Sequence, residues 1–230
     1  MNILLIMMGG SGSRLGSEIP KQFIPVEDTP LFLPIVQAYD TMPEIHKIII
    51  VSHATWVDKV AHWTSSIKKI TDIIPGGNSR SESVKNGLLA ASKISNAEDI
   101  ILFHDASHPY IDREGTQKVI KEATKYGAAT LANFNYDTVY KINAAGMVAE
   151  VLPRTQVVNG ASPEAFQLGL ILPLYQHATP DELEKMTSVG ALALSKNIPM
   201  KFVQTDILNL KITYQRDLNL YKKLSPSYFY

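Results

Sequence analysis

The 230-residue sequence has 22 lysines and arginines and 22 aspartates and glutamates, so its formal net charge is zero. This balance argues against a polybasic nucleic-acid binder and against an acidic disordered tail. The sequence contains no cysteine, which excludes disulfides and thiolate metal sites. The apolar run ILLIMM after Asn2 is too short for a membrane span and lacks the cationic flank of a signal peptide. We therefore expect a cytoplasmic protein that binds neither nucleic acid nor membrane.

Short runs rich in β-branched residues alternate with amphipathic stretches along the chain. The runs predict strands at Ile3–Met8, Lys47–Ser52, Lys69–Ile74, Ile100–His104, Ala128–Asn133 and Met200–Gln204. The amphipathic stretches predict helices at Leu31–Tyr39, Trp56–Ile67, Ser81–Ser92, Gly115–Tyr126, Pro163–Gln176 and Asp181–Ser195. The alternation predicts an α/β, Rossmann-like three-layer fold with a mostly parallel twisted sheet, formed by residues 1–230 as one domain. Such sheets bind ligands beyond the carboxyl ends of their strands.

The segment DTVYKINAAGMVAEVLPRTQVV interrupts this alternation between residues 137 and 158. TVYKI and MVAEVL alternate in polarity on either side of a turn that contains Asn143 and Gly146, which predicts a β-hairpin. We define residues 136–158 as the arm, and we expect it to project from the sheet as a contact between two subunits of a homodimer. The alternative is an ordinary hairpin at the edge of the sheet.

A glycine- and serine-rich loop follows the first strand in MMGGSGSRLGSEIPKQF, residues 7–23. Glycines at this place let backbone N–H groups approach a phosphate. The spacing of Gly10, Gly12 and Gly16 does not match the dinucleotide motif, and the pattern of a P-loop is absent. Arg14 and Lys21 are therefore candidates to clamp a triphosphate and to neutralise charge during substitution at the α-phosphorus. The alternative is a solvated pair of cations on a surface loop.

Six motifs in consistent order make the sequence resemble the cytidylyltransferase family that includes the methylerythritol phosphate and ribitol phosphate enzymes. GGSGSRLGSEIPKQF resembles the signature loop of that family, GGNSRSESVKNGL (76–88) its second motif G-G-x-x-R-x-x-S-V-x-x-G-L, and FHDASHP (103–109) its H-D-x-x-R-P. DT (137–138), LPRT (152–155) and NLKIT (209–213) resemble its arm and its C-terminal motif. VSHATWV (51–57) and NLKIT look nearer to the ribitol phosphate branch.

The resemblance implies a role for each matched residue. Arg14 and Lys21 would be catalytic, because in the family the corresponding cations stabilise the transition state. The nucleotide CTP would be bound by the first loop, the second motif and the aspartate of H-D, namely by Met8, Gly9, Gly10, Ser11, Gly12, Ser13, Gly77, Arg80, Ser83 and Asp105. Asp105 would also hold Mg²⁺. The acceptor, a phosphorylated polyol, would be bound by Ala106, His108, Thr138, Arg154 and Lys211, with the arm reaching a second subunit.

The expected chemistry suits these residue types. A phosphate monoester attacks the α-phosphorus of CTP and displaces pyrophosphate, and this nucleophile is already anionic, so no strong general base is needed. Cations and Mg²⁺ are needed to bring two polyanions together. Taken singly, the residues have plainer interpretations: Asp105 as a helix cap, Arg80 as a solvated side chain, and Lys211 on the solvent face of a strand.

Three departures from the family motifs affect the expected acceptor. His108 replaces the arginine of H-D-x-x-R-P, Ala161-Ser162-Pro163-Glu164 replaces Q-T-P-Q, and Thr187-Ser188 replaces T-D. Because the motifs for CTP remain whole, we expect a cytidylyltransferase whose acceptor is ribitol 5-phosphate or a related polyol phosphate. The alternatives are a methylerythritol phosphate cytidylyltransferase, a transferase of the same fold that uses another nucleotide, and a homologue that binds nucleotide without catalysis.

Overall fold

Seven strands form one sheet in the computed structural model, which describes residues 1–12 and 15–228, with side chains up to residue 224. Their order across the sheet is β11 (Lys201–Gln204), β7 (Ala128–Phe134), β10 (Val158–Gln167), β6 (Ile100–Asp105), β1 (Asn2–Met8), β4 (Lys47–Ser52) and β5 (Ile70–Pro75). Only β10 runs antiparallel to its neighbours within this part of the chain. The predicted α/β fold with a mostly parallel sheet is confirmed.

The first strand lies between β4 and β6, and it shows why the fold has three layers. Its side chains alternate, so that Leu4 and Ile6 join one hydrophobic cluster while Ile3 and Leu5 join another. All four are fully buried, as expected for a parallel strand covered on both faces. The sequence of β1 therefore requires a helical layer on each side of the sheet.

The helices supply these two layers. Their bounds are α1 (Leu33–Asp40), α2 (Val57–Trp63), α3 (Arg80–Ser92), α4 (Arg113–Tyr126), α5 (Leu168–His177), α6 (Pro180–Glu184), α7 (Val189–Ser195) and α8 (Gln215–Tyr228). Residues of α1, α2 and α4 pack in the first cluster, and residues of α3, α5 and α7 pack in the second. Two short strands, β2 (Pro25–Val26) and β3 (Thr29–Pro30), pair beside the sheet. None of the helices in the described ranges has the length and apolar character to cross a bilayer.

Two helix predictions were wrong in the region after the arm. The segment predicted as a helix from Pro163 begins instead as the end of β10, because Ala165 and Phe166 pair with both β6 and β7, and α5 begins only at Leu168. The helix predicted at Asp181–Ser195 is divided into α6 and α7, since Ser188 caps a new helix start. The C-terminal α8 was not predicted; its Leu218 and Tyr221 are buried in a third cluster.

The arm is a hairpin of β8 (Val139–Ile142) and β9 (Val148–Leu152), which do not pair with the main sheet. Asn143 accepts hydrogen bonds from the N–H groups of Ala145 and Met147 and so stabilises the turn. The apolar side chains of the arm are exposed, with Ile142 at 64% and Met147 at 66% of full exposure. The projecting hairpin predicted from the sequence is thus present, and its surface is more apolar than that of a solvated loop.

The buried side chain of His104 forms hydrogen bonds that hold the carboxyl end of β6 in place. Burial lowers the pKa of His104 to about 4, so the ring is neutral at pH 7. Its Nε2–H donates to the carbonyl of His108, 2.8 Å away, and its Nδ1 accepts from the hydroxyl of Tyr39, 2.9 Å away. The tautomer follows from the carbonyl, which can only accept. His104 is therefore a structural residue.

Besides the buried His108, we expect His104 to lower the stability of the fold between pH 7 and pH 5. The pKa of His104 is near 6.5 in the unfolded chain and about 4 in the folded protein. As the pH falls below 6.5, the unfolded state therefore binds a proton that the folded state binds only near pH 4. The free energy of unfolding should drop by about 2 kcal/mol over this interval from this group. Urea unfolding at the two pH values measures the drop. An NMR titration in which His104 protonates near pH 6.5 would contradict its assignment as the cause.

Candidate active site

A cavity of about 650 Å³ lies beyond the carboxyl ends of β1, β4, β5 and β6. The chain moves from β1 outward to β4 and β5 and then returns to β6 on the other side of β1. Parallel sheets bind ligands at such a reversal. The cavity has the volume of a small-molecule site. Twelve of the site residues predicted from the sequence line this cavity: Met8, Gly9, Gly10, Ser11, Gly12, Lys21, Gly77, Arg80, Ser83, Asp105, Ala106 and Lys211.

The first loop is held in a fixed shape by a residue that the sequence analysis missed. The side-chain amide of Gln22 donates to the carbonyl oxygens of Met8 and Gly10, each 2.8 Å away. Gly12 has φ +71°, and a β-carbon there would lie 2.9 Å from the backbone nitrogen of Lys21, so only glycine fits without strain. Ser13 and Arg14 lie outside the described residues, and their predicted roles remain predictions.

Lys21 connects this loop to the C-terminal motif. Its ammonium group donates to the carbonyl of Ile212, 2.7 Å away. Ile212 in turn donates its N–H to the carbonyl of Ser107 at 2.9 Å. The two ends of the sequence are thereby brought to one wall of the cavity.

The second motif forms a tight turn after β5 and the start of α3. The hydroxyl of Ser83 accepts from the N–H of Gly77 at 3.0 Å and donates to the carbonyl of Ser79 at 2.9 Å. A β-carbon at Gly77 would lie 2.2 Å from the side chain of Glu82, which explains the glycine. Ser83 therefore shapes the turn with its hydroxyl while it also lines the cavity.

Asp105 lies at the end of β6 between two cations. Its Oδ1 accepts from Arg80 and its Oδ2 from Lys211, each at 3.0 Å. Burial alone would raise the pKa of Asp105, but Arg80 and then Lys211 outweigh burial and hold the pKa well below its usual range. Asp105 is thus a carboxylate at all working pH values. It does not cap α4, whose start is capped by Asp112, and Lys211 lies outside any strand.

The remaining predicted acceptor residues do not line this cavity. Burial, followed by the charge of Lys211, lowers the pKa of His108 to about 3, so His108 brings no positive charge at pH 7. Thr138 and Arg154 lie exposed on the arm, where Arg154 donates to the carbonyl of Tyr136 at 2.8 Å. Of the residues that the sequence assigned to the acceptor, Ala106 and Lys211 thus line the cavity, Thr138 and Arg154 lie on the arm, and His108 does neither.

Several lining residues were not predicted, because single-residue signals for them are absent. They are Met7, Gln22, His53, Ala54, Gly76, Asn78, Ser79, Ser107, Thr187 and Thr213. All of them except Thr187 lie inside the quoted sequence stretches, so assigning every residue of each stretch to the site would have found them. Thr187 was noted only as part of a departure from the family pattern.

The predicted Mg²⁺ site can be compared with the residues present. Residues 1–12 and 15–224 contain no group of three or more acidic, histidine or cysteine side chains that could hold a metal ion. Mg²⁺ commonly uses one or two carboxylates, water and the phosphates of its substrate instead of a full protein cage. Asp105 is such a carboxylate, and it lies beside the cavity's cations. The donor set fits a metal that arrives with a nucleotide.

A protein-family model matches nearly the whole chain. Residues 2–224 match the family model described as "IspD: 2-C-methyl-D-erythritol 4-phosphate cytidylyltransferase". The chain belongs to this family. It is accordingly a cytidylyltransferase, one of the nucleotidyltransferases. The first loop, the second motif and Asp105, all at one cavity, are the parts of the structure that the resemblance assigned to the nucleotide.

Individual relatives cover nearly the full chain. A 2-C-methyl-D-erythritol 4-phosphate cytidylyltransferase from Endomicrobium trichonymphae is 32% identical over 228 residues, covering 98% of this chain and 99% of the relative. The enzyme of that name from Thermotoga neapolitana is 30% identical over 230 residues, covering 99% and 98%. The 4-diphosphocytidyl-2C-methyl-D-erythritol synthase from Anaerococcus prevotii superposes with a TM-score of 0.81 at 23% identity, covering 98% of this chain and 95% of that one. This last likeness shows the fold.

The predicted nearness to the ribitol phosphate branch is not supported by these comparisons. The family model and the relatives described above carry the methylerythritol name. The short stretches VSHATWV and NLKIT, on which that prediction depended, cover a small part of the chain, whereas the family match covers residues 2–224.

Proposed function

We propose that the protein transfers the CMP group of CTP to 2-C-methyl-D-erythritol 4-phosphate and releases pyrophosphate. The observation that carries the proposal is one cavity that joins a glycine-rich loop, Lys21, Arg80, Asp105 and Lys211, in a chain that matches the family from residue 2 to 224. The names of the relatives favour this acceptor over ribitol 5-phosphate.

The proposed reaction is a single displacement. A phosphate oxygen of the acceptor attacks the α-phosphorus of CTP, the bond from that phosphorus to the bridging oxygen breaks, and pyrophosphate leaves with the electron pair. The acceptor phosphate is already ionised at pH 7, so no side chain has to remove a proton. Negative charge that develops on the phosphates is stabilised by cations fixed in advance, a role for which Lys21 is held by the carbonyl of Ile212.

The two substrates are assigned to different parts of the cavity. The turn of Gly77 and the side chain of Arg80 would bind the nucleoside part of CTP, and the first loop would bind its phosphates. Lys211 would bind the acceptor phosphate, since it contacts Oδ2 of Asp105 while Arg80 contacts Oδ1. Mg²⁺ bound to the triphosphate would be held by Asp105 and would neutralise further phosphate charge.

The arm would complete the acceptor site of a second subunit. Its exposed apolar side chains, such as Tyr140, Ile142 and Met147, form a surface suited to a protein contact. Thr138 and Arg154 lie on this arm and not at the cavity of their own chain, as expected if they act across a homodimer.

Mixing two inactive variants tests this arrangement. Lys21→Ala and Arg154→Ala should each be poorly active alone, whereas a mixture refolded together should regain about a quarter of wild-type activity, because mixed dimers contain one intact site. The pyrophosphate release rate measures the recovery. If Arg154 acted in its own chain, the mixture would stay as inactive as its components.

A panel of acceptors tests the reaction itself. Pyrophosphate release is measured with CTP, Mg²⁺ and either methylerythritol 4-phosphate, ribitol 5-phosphate or glycerol 3-phosphate. We expect turnover with the first acceptor at least about tenfold above the others, a difference of about 1.4 kcal/mol in transition-state binding. Turnover confined to ribitol 5-phosphate would replace the proposed acceptor.

Ribitol 5-phosphate remains the second candidate because of one observation. His108 occupies the place of the arginine in the family's H-D-x-x-R-P, and its pKa of about 3 leaves it neutral at pH 7. A neutral ring makes a weaker phosphate contact than a guanidinium. The acceptor panel separates the two candidates directly.

A further inference from the structure

Glu164, on the antiparallel strand β10, contacts the start of α7. Its Oε2 accepts from the N–H of Val189 at 3.1 Å, and its two oxygens share the N–H of Gly190 at 3.4 Å. The hydroxyl of Ser188 accepts from the N–H of Ala191 at 3.0 Å. The first N–H groups of a helix have no partner within the helix. Two side chains therefore satisfy the first three of them here.

The same carboxylate lies near Arg80, which lines the cavity, although Glu164 itself does not line it. Burial alone would lower the pKa of the Arg80 guanidinium, but the charges of Asp105 and then of Glu164 outweigh burial and raise it. Of these two carboxylates, Arg80 contacts that of Asp105, at 3.0 Å. Burial raises the pKa of Glu164, and the charge of Arg80 opposes that rise.

The segment before α7 is held at both of its ends. The hydroxyl of Ser81, at the start of α3, donates to the carbonyl of Leu183 at 2.8 Å. Glu164 holds the other end at Val189. Between them lies Thr187, which lines the cavity. The position of this part of the cavity wall therefore depends on Glu164.

Two of the departures from the family motifs meet at this point. Glu164 stands where the family's Q-T-P-Q has its second glutamine, and Ser188 stands where T-D has its aspartate. A carboxylate is gained at one position and lost at the other, and both side chains bond to the start of the same helix. The net charge at the start of α7 is therefore the same with Glu164 and Ser188 as with the glutamine and aspartate of the family motifs.

We propose that Glu164 is a positioning residue of the nucleotide site, where its carboxylate fixes Arg80 and the Thr187 segment and replaces the carboxylate that the family motif carries at position 188. The inference rests on the assignment of Arg80 to the nucleotide. Glu164 does not touch the reacting atoms; it acts through Arg80 and the start of α7.

The test is a double-mutant cycle of Glu164→Gln, Ser188→Asp and the two together. The dissociation constant of CTP with Mg²⁺ is measured by calorimetry, and the melting temperature by circular dichroism. We expect Glu164→Gln to weaken CTP binding roughly five- to tenfold, because Arg80 and Thr187 lose their fixed places. We also expect its melting temperature to fall by about 2–4 °C from the weaker cap. Ser188→Asp should weaken binding too, since two carboxylates then crowd one helix start.

The double variant decides the mechanism. It restores a single carboxylate at the start of α7, so its CTP affinity and melting temperature should return to within about twofold and 1 °C of wild type. Because it keeps the local charge, we expect it to remain measurable even if Glu164→Gln fails to fold, and its comparison with Ser188→Asp then shows whether removing the Glu164 carboxylate restores CTP binding.

Three outcomes would overturn the proposal. A Glu164→Gln variant that binds CTP more tightly would mean that the carboxylate only repels the phosphates. A lower melting temperature with unchanged CTP affinity would make Glu164 a plain helix cap. A double variant no better than Ser188→Asp would show that the two positions are not exchangeable.

Glu182→Gln is the matched control. Glu182 also accepts a backbone N–H at a helix start, that of Thr179, but it is half-buried and pairs with Lys196, which does not line the cavity. Its replacement should leave CTP affinity unchanged. CTP binding is measured without an acceptor, so a wrong assignment of methylerythritol phosphate would appear in the acceptor panel and not in this cycle.

Discussion

Replacing Lys21 by alanine is expected to lower kcat by about two to three orders of magnitude, the usual loss when a fixed donor to a developing negative charge is removed. Lys21 lines the cavity next to the glycine-rich loop, and its ammonium group is held by the carbonyl of Ile212 at 2.7 Å. The KM for CTP should change much less than kcat, because the charge on the phosphates is greatest in the transition state. Steady-state pyrophosphate release measures both constants.

Lys118→Ala is the control for Lys21→Ala. Lys118 is an exposed lysine on α4 that pairs with Glu114, and it does not line the cavity. Its replacement should leave kcat and the melting temperature unchanged. Equal kcat values for wild type and Lys21→Ala would refute the clamp, and the sequence predicts the same large loss for Arg14→Ala.

Replacing Asp105 by asparagine is expected to lower kcat/KM by about two orders of magnitude or more and to raise the Mg²⁺ concentration needed for half-maximal rate. The change leaves Arg80 and Lys211 without the carboxylate that each contacts at 3.0 Å, and it removes the proposed metal ligand. Because Arg80 and Lys211 hold the pKa of Asp105 well below its usual range, the wild-type enzyme should not lose this group to protonation anywhere above pH 4.

A titration of activity with Mg²⁺ separates two roles of Asp105. If the carboxylate only positions the two cations, Asp105→Asn should be slow at every Mg²⁺ concentration with an unchanged midpoint. Asp217→Asn is a suitable control, because Asp217 caps the start of α8 through the N–H groups of Thr213 and Tyr214 and does not line the cavity. Its midpoint for Mg²⁺ should equal that of wild type.

The central parallel strands β1, β4 and β6 could be predicted because each contains a continuous apolar run. Lys47–Ser52 was predicted with its observed bounds, and Ile100–His104 was one residue short. The nucleotide residues could be placed together because each follows a parallel strand: Gly9 follows β1, Gly77 follows β5, and Asp105 ends β6. For these elements the local pattern and the tertiary structure agree.

Elements that depend on distant partners could not be predicted in the same way. The Pro- and Ala-containing start of the 163–176 segment resembles a helix locally, yet it is a strand because β6 and β7 both offer it backbone partners. The side chain of Gln22 donates hydrogen bonds to two carbonyl groups, those of Met8 and Gly10, and the sequence around Gln22 contains no pattern that predicts these bonds. The departures at Glu164 and Ser188 were visible in the sequence, but their meeting at one helix start was not.

The place of β10 between β6 and β7 constrains how the chain reaches its fold during synthesis. A nascent chain that ends before residue 158 already contains β6 and β7, yet the edges that will face β10 have no partner. Unpaired strand edges are sites of aggregation. A ribosome-bound chain of this length would therefore have unpaired edges on β6 and β7 until the residues of β10 emerge, so we expect its need for chaperones to be greatest in that interval.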